Sequence, residues 1–138
     1  QRHPDALRRA RDEVRRVAPD PAHITHEQVG ALEYVEACAH ETMRLKPVAP
    51  MLPVQAVRDT TLGDVEVPAE TIVVGLMRQD ARDARYFVEP HAFAPERWLA
   101  GGAVGPAATS AKRVSMPFGA GPRVCPGRYL ALTEMKLD

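Results

Sequence analysis

The chain has 138 residues, a length typical of one domain, and 45% hydrophobic with 26% charged residues is ordinary for a globular protein. This composition argues against disorder, and the balance of 18 basic and 18 acidic side chains gives no indication of nucleic-acid binding. The longest apolar run, residues 72–77, is too short to cross a bilayer. The 13 prolines, about twice the usual share, predict long stretches of fixed, irregular backbone.

Two helices are predicted in the N-terminal third of the chain. Residues 4–17 have an apolar stripe at helical spacing, and their charged face is expected to be solvated. Residues 25–46 are predicted as a single longer helix that begins with a capping box, Thr25 and Gln28, and ends before Pro47. The apolar stripe of this longer helix is expected to consist of Val29, Leu32, Val35, Ala39 and Met43.

The middle of the chain changes to the alternation that is typical of short β-strands. One helical turn is expected at residues 80–85, residues 87–124 have no sustained period, and a last helix is predicted over residues 126–138. The fold class predicted from these elements is mainly α with a small β region, that is, α+β. The expected strands lie around Val54, at 60–62, from Val65 to Val67 and at 72–76, with turns at 63–64 and 68–70.

A cysteine framed by glycines is the most specific feature of the sequence. Residues 118–127 read Phe-Gly-Ala-Gly-Pro-Arg-Val-Cys-Pro-Gly, and glycine allows backbone angles that a Cβ atom would block. Cys125 is predicted at or next to the N-cap of the last helix, with Pro126 in the first helical position. There the helix dipole would stabilise a thiolate, which is the metal-binding form of cysteine.

The number of cysteines restricts what such a site could hold. A single cysteine suits an axial ligand to one iron, whereas zinc and iron–sulfur sites usually need four ligands in paired spacings. The alternative for any lone cysteine is a small buried hydrophobic residue. Cys38 fits that alternative because it lies in the middle of a predicted helix without neighbouring glycines.

Two further motifs carry charges. Glu41 and Arg44 are three positions apart, so they lie on one helix face and can form an ion pair. Pro95-Glu96-Arg97-Trp98 combines a charge pair with an aromatic anchor. Taken singly, each motif is typical of an exposed surface pair.

In this order and at these separations, the three motifs resemble those of the cytochrome P-450 family, and the resemblance covers nearly the whole chain. It implies that the ten-residue loop binds haem, with Cys125 as the proximal iron ligand and Arg123 as the partner of a haem propionate. The resemblance assigns five cofactor-binding residues: Phe118, Gly119, Arg123, Cys125 and Gly127.

The other motifs are assigned structural roles by the same resemblance. Glu41, Arg44 and Arg97 match the family's Glu–Arg–Arg network, with Trp98 where the family pattern has Phe. Ala131 and Glu134 match the Ala-x-x-Glu sequence of the helix that follows the haem loop. The network is expected to hold the helix of Glu41 against the segment that leads to the loop.

The resemblance also implies an activity. The expected cofactor is heme b with the Cys125 thiolate as axial ligand, and the expected reaction inserts one oxygen atom of O₂ into a lipophilic small-molecule substrate. Electrons would come from a redox partner, a reductase or a ferredoxin. A bacterial member would be cytoplasmic and a microsomal one membrane-anchored, and the sequence leaves this open.

Residues 1–138 are expected to be one fragment of such a domain, truncated at both ends and running from the J helix to the start of the L helix. The oxygen-activating I helix would then lie outside it, so no catalytic residue is assigned. The fragment alone is expected to be inactive and to bind haem weakly. Alternatives are a peroxygenase, an isomerase or a non-catalytic haem-binding relic on the same scaffold, or an α+β interaction module whose motifs coincide.

Overall fold

The computed structural model describes residues 3–105 and 110–137, and no helix within these ranges is long and apolar enough to cross a membrane. Its mixture of helices and small antiparallel sheets confirms the predicted α+β class. Three short 3-10 turns cover Pro21–His23, Pro95–Trp98 and Gly121–Arg123. The helices are α1 (Pro4–Val17), α2 (His26–Gly30), α3 (Glu33–Leu45), α4 (Met77–Asp80), α5 (Ala111–Ser115) and α6 (Arg128–Leu137). The strands are β1 (Leu52–Gln55), β2 (Thr60–Leu62), β3 (Val65–Val67) and β4 (Ile72–Gly75).

The strands form two separate antiparallel pairs, β1 with β4 and β2 with β3. Leu52 lies opposite Gly75 in the first pair, and Thr60 lies opposite Val67 in the second. The predicted turn between β2 and β3 is present, and Gly63 takes a left-handed φ of 64° there, which glycine adopts without strain. Val67 is the strand residue that is buried, so both pairs lie at the surface of the described structure.

The predicted single helix over residues 25–46 is wrong, because the chain breaks between α2 and α3. The capping box is present at the start of α2: Gln28 N–H donates to Thr25 Oγ1 at 3.3 Å, and Thr25 N–H donates to Gln28 Oε1 at 2.9 Å. The helix ends at Gly30, a poor helix former, and Leu32 takes a ψ of 74°, which is outside the helical region. Leu32 is only 1% exposed, so the break directs its side chain into the core.

The buried face of α3 is polar, which differs from the predicted apolar stripe. Val29 and Leu32 are buried but lie outside α3, whereas Val35, Ala39 and Met43 are only half-buried. Both α1 and α6 pack against α3, so the helix has partners within the chain. The residues of α3 that are buried are Tyr34, Ala37, His40, Glu41 and Arg44.

Two other boundaries differ from the predictions. The helical turn expected at residues 80–85 occurs earlier, as α4. The last helix begins at Arg128, because its first bond runs from Ala131 N–H to the Gly127 carbonyl at 3.0 Å. Pro126 therefore lies in a turn and not in the first helical position. Part of the expected glycine- and alanine-rich loop, residues 106–109, lies outside the described residues.

Candidate functional site

A buried ion pair lies on the inner face of α3. The side chains of Glu41 and Arg44 are both 0% exposed. Arg44 donates from Nε to Glu41 Oε2 and from Nη2 to Glu41 Oε1, and each distance is 2.8 Å. This two-point geometry is the strongest arrangement of an arginine with a carboxylate. The pair found by its spacing in the sequence is thus a core contact and not a surface one.

The turn Pro95–Trp98 brings two more donors to the same carboxylate. Arg97 Nε donates to Glu41 Oε1 at 3.1 Å, and Trp98 Nε1 donates to Glu41 Oε2 at 2.9 Å. The backbone N–H of Ala94 donates to Oε1 at 2.9 Å. The structure therefore brings Glu41, Arg44 and Arg97 together around one carboxylate.

The charge state of Glu41 follows from these contacts. Burial alone would raise the pKa of the carboxyl group, because it penalises the charged form. Hydrogen bonds from Arg44, Ala94 and Trp98 outweigh that penalty and hold the pKa of Glu41 below its ordinary value. Glu41 is consequently ionised at neutral pH, and its charge balances the guanidinium groups beside it.

Arg44 also binds the backbone of the chain that follows β4. Its Nη1 donates to the carbonyl oxygens of Ala81 at 2.6 Å and Pro90 at 2.7 Å, and its Nη2 donates to that of Ala92 at 3.0 Å. One guanidinium group therefore holds three positions of an irregular segment against α3. Without its bond to Arg44, the carbonyl group of the buried Ala81 would lack this partner.

Phe87 forms the apolar floor of the network. Its side chain is fully buried, and the guanidinium carbons of Arg44 and Arg97 lie 4.9 and 5.8 Å from its ring centroid. Both distances are within the range of cation–π attraction. Arg97 Nη1 also donates to the carbonyl oxygen of Val88 at 3.0 Å, which fixes the residue next to the ring.

Two glycines let the chain after Arg97 pass close to the network. A Cβ atom at Gly102 would lie 2.5 Å from the carbonyl carbon of Arg97, and one at Gly105 would lie 2.6 Å from the carbonyl oxygen of Arg85. Both distances are shorter than any real Cβ contact, and the neighbouring atoms are backbone. Glycine is therefore required at both positions by lack of space.

The loop around Cys125 is closed by its own backbone. The Cys125 N–H donates to the carbonyl oxygen of Phe118 at 2.9 Å. Gly119 and Gly121 take left-handed φ angles of 73° and 70°, which explains the need for glycine there. A Cβ atom at Gly127 would stand 3.9 Å from Cys125 Sγ, so glycine keeps that side of the sulfur open.

The environment of Cys125 differs from the predicted one in one respect. Because α6 begins at Arg128, Cys125 precedes the helix by a turn and is not its N-cap. Its side chain is half-buried, and Arg123 on the preceding 3-10 turn is exposed. Within the described ranges, Arg123 has no ion-pair partner and no side-chain hydrogen bond, so its charge is available to an anionic group.

These residues fit a haem iron better than a metal ion held by several side chains. Within residues 3–105 and 110–137, no group of three or more His, Cys, Asp or Glu side chains is placed to hold a metal ion. A haem iron needs one axial ligand from the chain, and a cysteine thiolate is one of its known ligands. Cys125 beside the open position at Gly127, with Arg123 nearby, offers that ligand and a charge for a carboxylate.

The second cysteine, Cys38, lies outside this loop and near acidic side chains. It lies half-buried on α3, and burial, reinforced by the charges of Glu96 and Glu13, raises its pKa to about 11. The Cys38 thiol is therefore protonated at neutral pH, which disfavours the thiolate form that binds metals.

Sequence reasoning missed two of the donors to Glu41. The sequence predicts Trp98 as an aromatic anchor and as a replacement for Phe, but its indole N–H bonds Glu41, and the ring of His40 stacks on it. A signal was present, because a buried indole N–H usually needs an acceptor. The Ala94 N–H could not have been found, since every residue except proline carries that donor.

Comparison with known proteins identifies the family. The model of the cytochrome P-450 family matches residues 1–137. The chain is 36% identical to the probable cytochrome P-450 4d20 of Drosophila melanogaster over 99% of this chain and 26% of that protein. It is 36% identical to tryptamine 5-hydroxylase of Oryza sativa subsp. japonica over 99% of this chain and 27% of that protein. It is 33% identical to cytochrome P-450 3A25 of Mus musculus over 98% of this chain and 26% of that protein.

The chain thus spans about a quarter of the length of these curated relatives. The match runs through both the buried network and the Cys125 loop, which are the two features that the sequence motifs had singled out. On this evidence the chain belongs to the cytochrome P-450 family, a family of haem-thiolate monooxygenases.

Proposed function

We propose that this chain supplies the proximal side of a haem-thiolate monooxygenase, with Cys125 as the axial ligand of heme b. The observation that carries the proposal is the geometry of the loop: the Cys125 N–H is tied to the Phe118 carbonyl, and glycine at position 127 places no side-chain atom against the half-buried Cys125. When bound, the haem supplies the oxygen chemistry, and a thiolate ligand favours O–O cleavage by pushing electron density onto the iron.

The residues of the loop have distinct roles in this proposal. Cys125 binds iron through Sγ, and the left-handed backbone at Gly119 shapes the turn that presents it. Arg123 pairs with a haem propionate, which accounts for an exposed arginine without an ion-pair partner among the described residues. Phe118 provides apolar contact beside the ligand, and its carbonyl holds the Cys125 backbone.

The network of Glu41, Arg44 and Arg97 positions the loop without touching the reacting atoms. Arg44 ties the Ala81–Ala92 segment to α3, and Glu41 ties the Pro95–Trp98 turn to it. The segment that leads to the Cys125 loop is therefore anchored on one rigid helix. Such anchoring is what a cofactor site needs in order to hold its ligand in one geometry.

In the whole protein we propose that one oxygen atom of O₂ enters a lipophilic small molecule, with electrons from a reductase or a ferredoxin. Exposed apolar side chains after α3 support a lipophilic substrate: Val48 is 96% exposed, and Met51 and Leu52 are also exposed. The activity belongs to the longer protein, and residues 1–138 alone are expected to bind haem weakly and to turn over no substrate.

The central test is the carbon-monoxide spectrum of the reduced full-length protein. The wild-type protein should show the red-shifted band of a thiolate ligand, and Cys125→Ala and Cys125→His should lose it. Cys38→Ala is the matched control and should keep the band. Retention of the band in Cys125→Ala would exclude Cys125 as the ligand.

Two further measurements separate the roles. Arg123→Gln should release haem faster to an apoprotein acceptor than Arg113→Gln, a control at another exposed basic position. Labelled O₂ distinguishes the activity: one labelled oxygen atom in the product, dependent on an electron donor, supports a monooxygenase. Turnover supported by hydrogen peroxide alone would favour a peroxygenase.

A further inference from the structure

The side chain of His40 occupies a buried position beside the network, and no sequence motif assigns it a role. It is 9% exposed, and its ring stacks on Trp98 with centroids 5.0 Å apart and planes inclined by 19°. The Nε1 of the same Trp98 indole donates to Glu41 Oε2 at 2.9 Å. His40 is thus separated from the buried carboxylate by one aromatic ring.

The two nitrogens of the His40 ring are poorly satisfied. Nδ1 is buried, and no hydrogen-bond partner lies within reach of it among the described residues. Nε2 lies 3.6 Å from Glu36 Oε1, which is longer than a hydrogen bond. Burying one unpaired nitrogen of a neutral imidazole is tolerable, whereas a buried imidazolium would carry two N–H donors without firm acceptors.

Charged groups from three helices face this ring. Glu36 on α3 would attract an imidazolium, but its Oε2 already pairs with Lys136 on α6 at 2.5 Å. Lys112 on α5 and Lys136 both oppose a positive charge on His40. Burial lowers the pKa of His40, Glu36 partly offsets this, and Lys112 and Lys136 reinforce it, so the pKa lies below its ordinary value.

We propose that neutral His40 is a positioning residue that holds the Trp98 indole against Glu41, and that protonation of His40 loosens this contact. The consequence is a network that weakens in mildly acidic solution. Above the ordinary histidine pKa of about 6.5 the folded and unfolded states are both neutral at this position. Below it, the unfolded chain takes up a proton more readily than the folded one, so stability falls as the pH decreases.

The test compares His40→Phe with wild-type full-length protein in denaturant unfolding between pH 7.5 and 5.5. Phenylalanine keeps an aromatic ring on Trp98 and cannot be protonated. The wild-type folded-to-unfolded ratio should fall by up to about tenfold per pH unit through the loss at His40, and His40→Phe should lack this component. His91→Gln, at an exposed histidine, is the matched control and should behave as wild type.

Two further measurements test the proposal in other ways, and the first of them needs only the wild-type protein. Hydrogen exchange at the histidine ring carbon of the wild-type protein should give His40 a titration midpoint below 6.5. At pH 7.5, His40→Ala should be less stable than wild type, and His40→Phe should recover most of that loss, because the stacking ring is restored. An unchanged pH dependence in His40→Phe, or a midpoint at or above 6.5, would overturn the proposal.

Discussion

The buried carboxylate of Glu13, on α1, accepts the backbone N–H of Tyr34 at 2.9 Å, although the two residues are 21 positions apart. Its second oxygen accepts the N–H of Val35 at 2.9 Å. Leu32, at the N-cap of α3, has no side-chain cap of its own. Glu13 therefore satisfies donors that every helix leaves unpaired in its first turn, and its charge lies at the positive end of the helix dipole.

Glu13→Gln should destabilise the full-length protein by about 1–2 kcal/mol, because an amide can accept only one of the two N–H groups and carries no charge. Denaturant unfolding would measure the change. Asp12→Asn is the control, since Asp12 is exposed and, among the residues that the structure describes, pairs only with Arg15 at 3.5 Å. Equal effects of the two substitutions would show that Glu13 does not act as a cap.

Removing the carboxylate of Glu41 should lower the free energy of unfolding far more than Glu13→Gln does, as measured by denaturant unfolding of the full-length protein. Glu41→Gln leaves the buried Arg44 and Arg97 without their counter-charge, and the expected loss is about 3–5 kcal/mol. Arg97→Gln should cost a similar amount, and the double substitution should cost less than the sum, because both remove parts of one network.

A surface pair provides the control for this cycle. Arg8 lies 2.9 Å from Asp5 with both side chains largely exposed, so Arg8→Gln should change the free energy of unfolding little. Additive losses of less than about 1 kcal/mol at Glu41 and Arg97 would show that the network behaves as ordinary surface charges.

The ionisation of Glu41 predicts a dependence on acid. Because its pKa in the folded state lies below the ordinary value of 4.5, the unfolded chain takes up the proton first as the pH falls. The stabilisation from Glu41 is complete above about pH 4.5 and is lost as the pH decreases through the folded-state pKa. Acid unfolding should therefore be less steep below pH 4.5 in Glu41→Gln than in wild type, measured from the same starting fold at neutral pH.

Space around the network predicts the effect of an added methyl group. Gly102→Ala would place a Cβ atom 2.5 Å from the Arg97 backbone and should cost about 1–3 kcal/mol through displacement of that segment. Gly30→Ala is the control, because no described residue outside its own helix lies within 4 Å of its Cβ position and alanine favours helix. It should be neutral or stabilising by up to about 1 kcal/mol, and a cost equal to that of Gly102→Ala would contradict the steric explanation.

The features that could be predicted from the sequence are those set by neighbouring residues. The helix α1, the capping box at Thr25 and the turn at Gly63 depend on side chains within a few positions of one another. The break before α3 could not be predicted in this way, because the Glu13 cap that starts α3 comes from another helix. The same distance along the chain explains why Glu13 was expected on a solvated face.

The candidate site shows the same division. The resemblance to a family predicted that Glu41, Arg44 and Arg97 form one network, and it also predicted the role of the Cys125 loop. The periodicity of the sequence gave no indication that α3 would turn a polar face inward, because periodicity counts charged residues as exposed. Burial of Glu41 and Arg44 becomes possible only when their mutual contacts and the surrounding backbone replace water.

The contacts of Arg44 with the carbonyl oxygens of Ala81, Pro90 and Ala92 have a consequence for how this region can change. A carbonyl group is present whatever the side chain, so the bonds to Arg44 do not themselves depend on which amino acids occupy these positions. The spacing between them is constrained instead, since adding or deleting one residue between 81 and 92 would move a carbonyl out of reach. Apart from the buried Ala81 and Phe87, we therefore expect the segment to tolerate changes in composition and not changes in length.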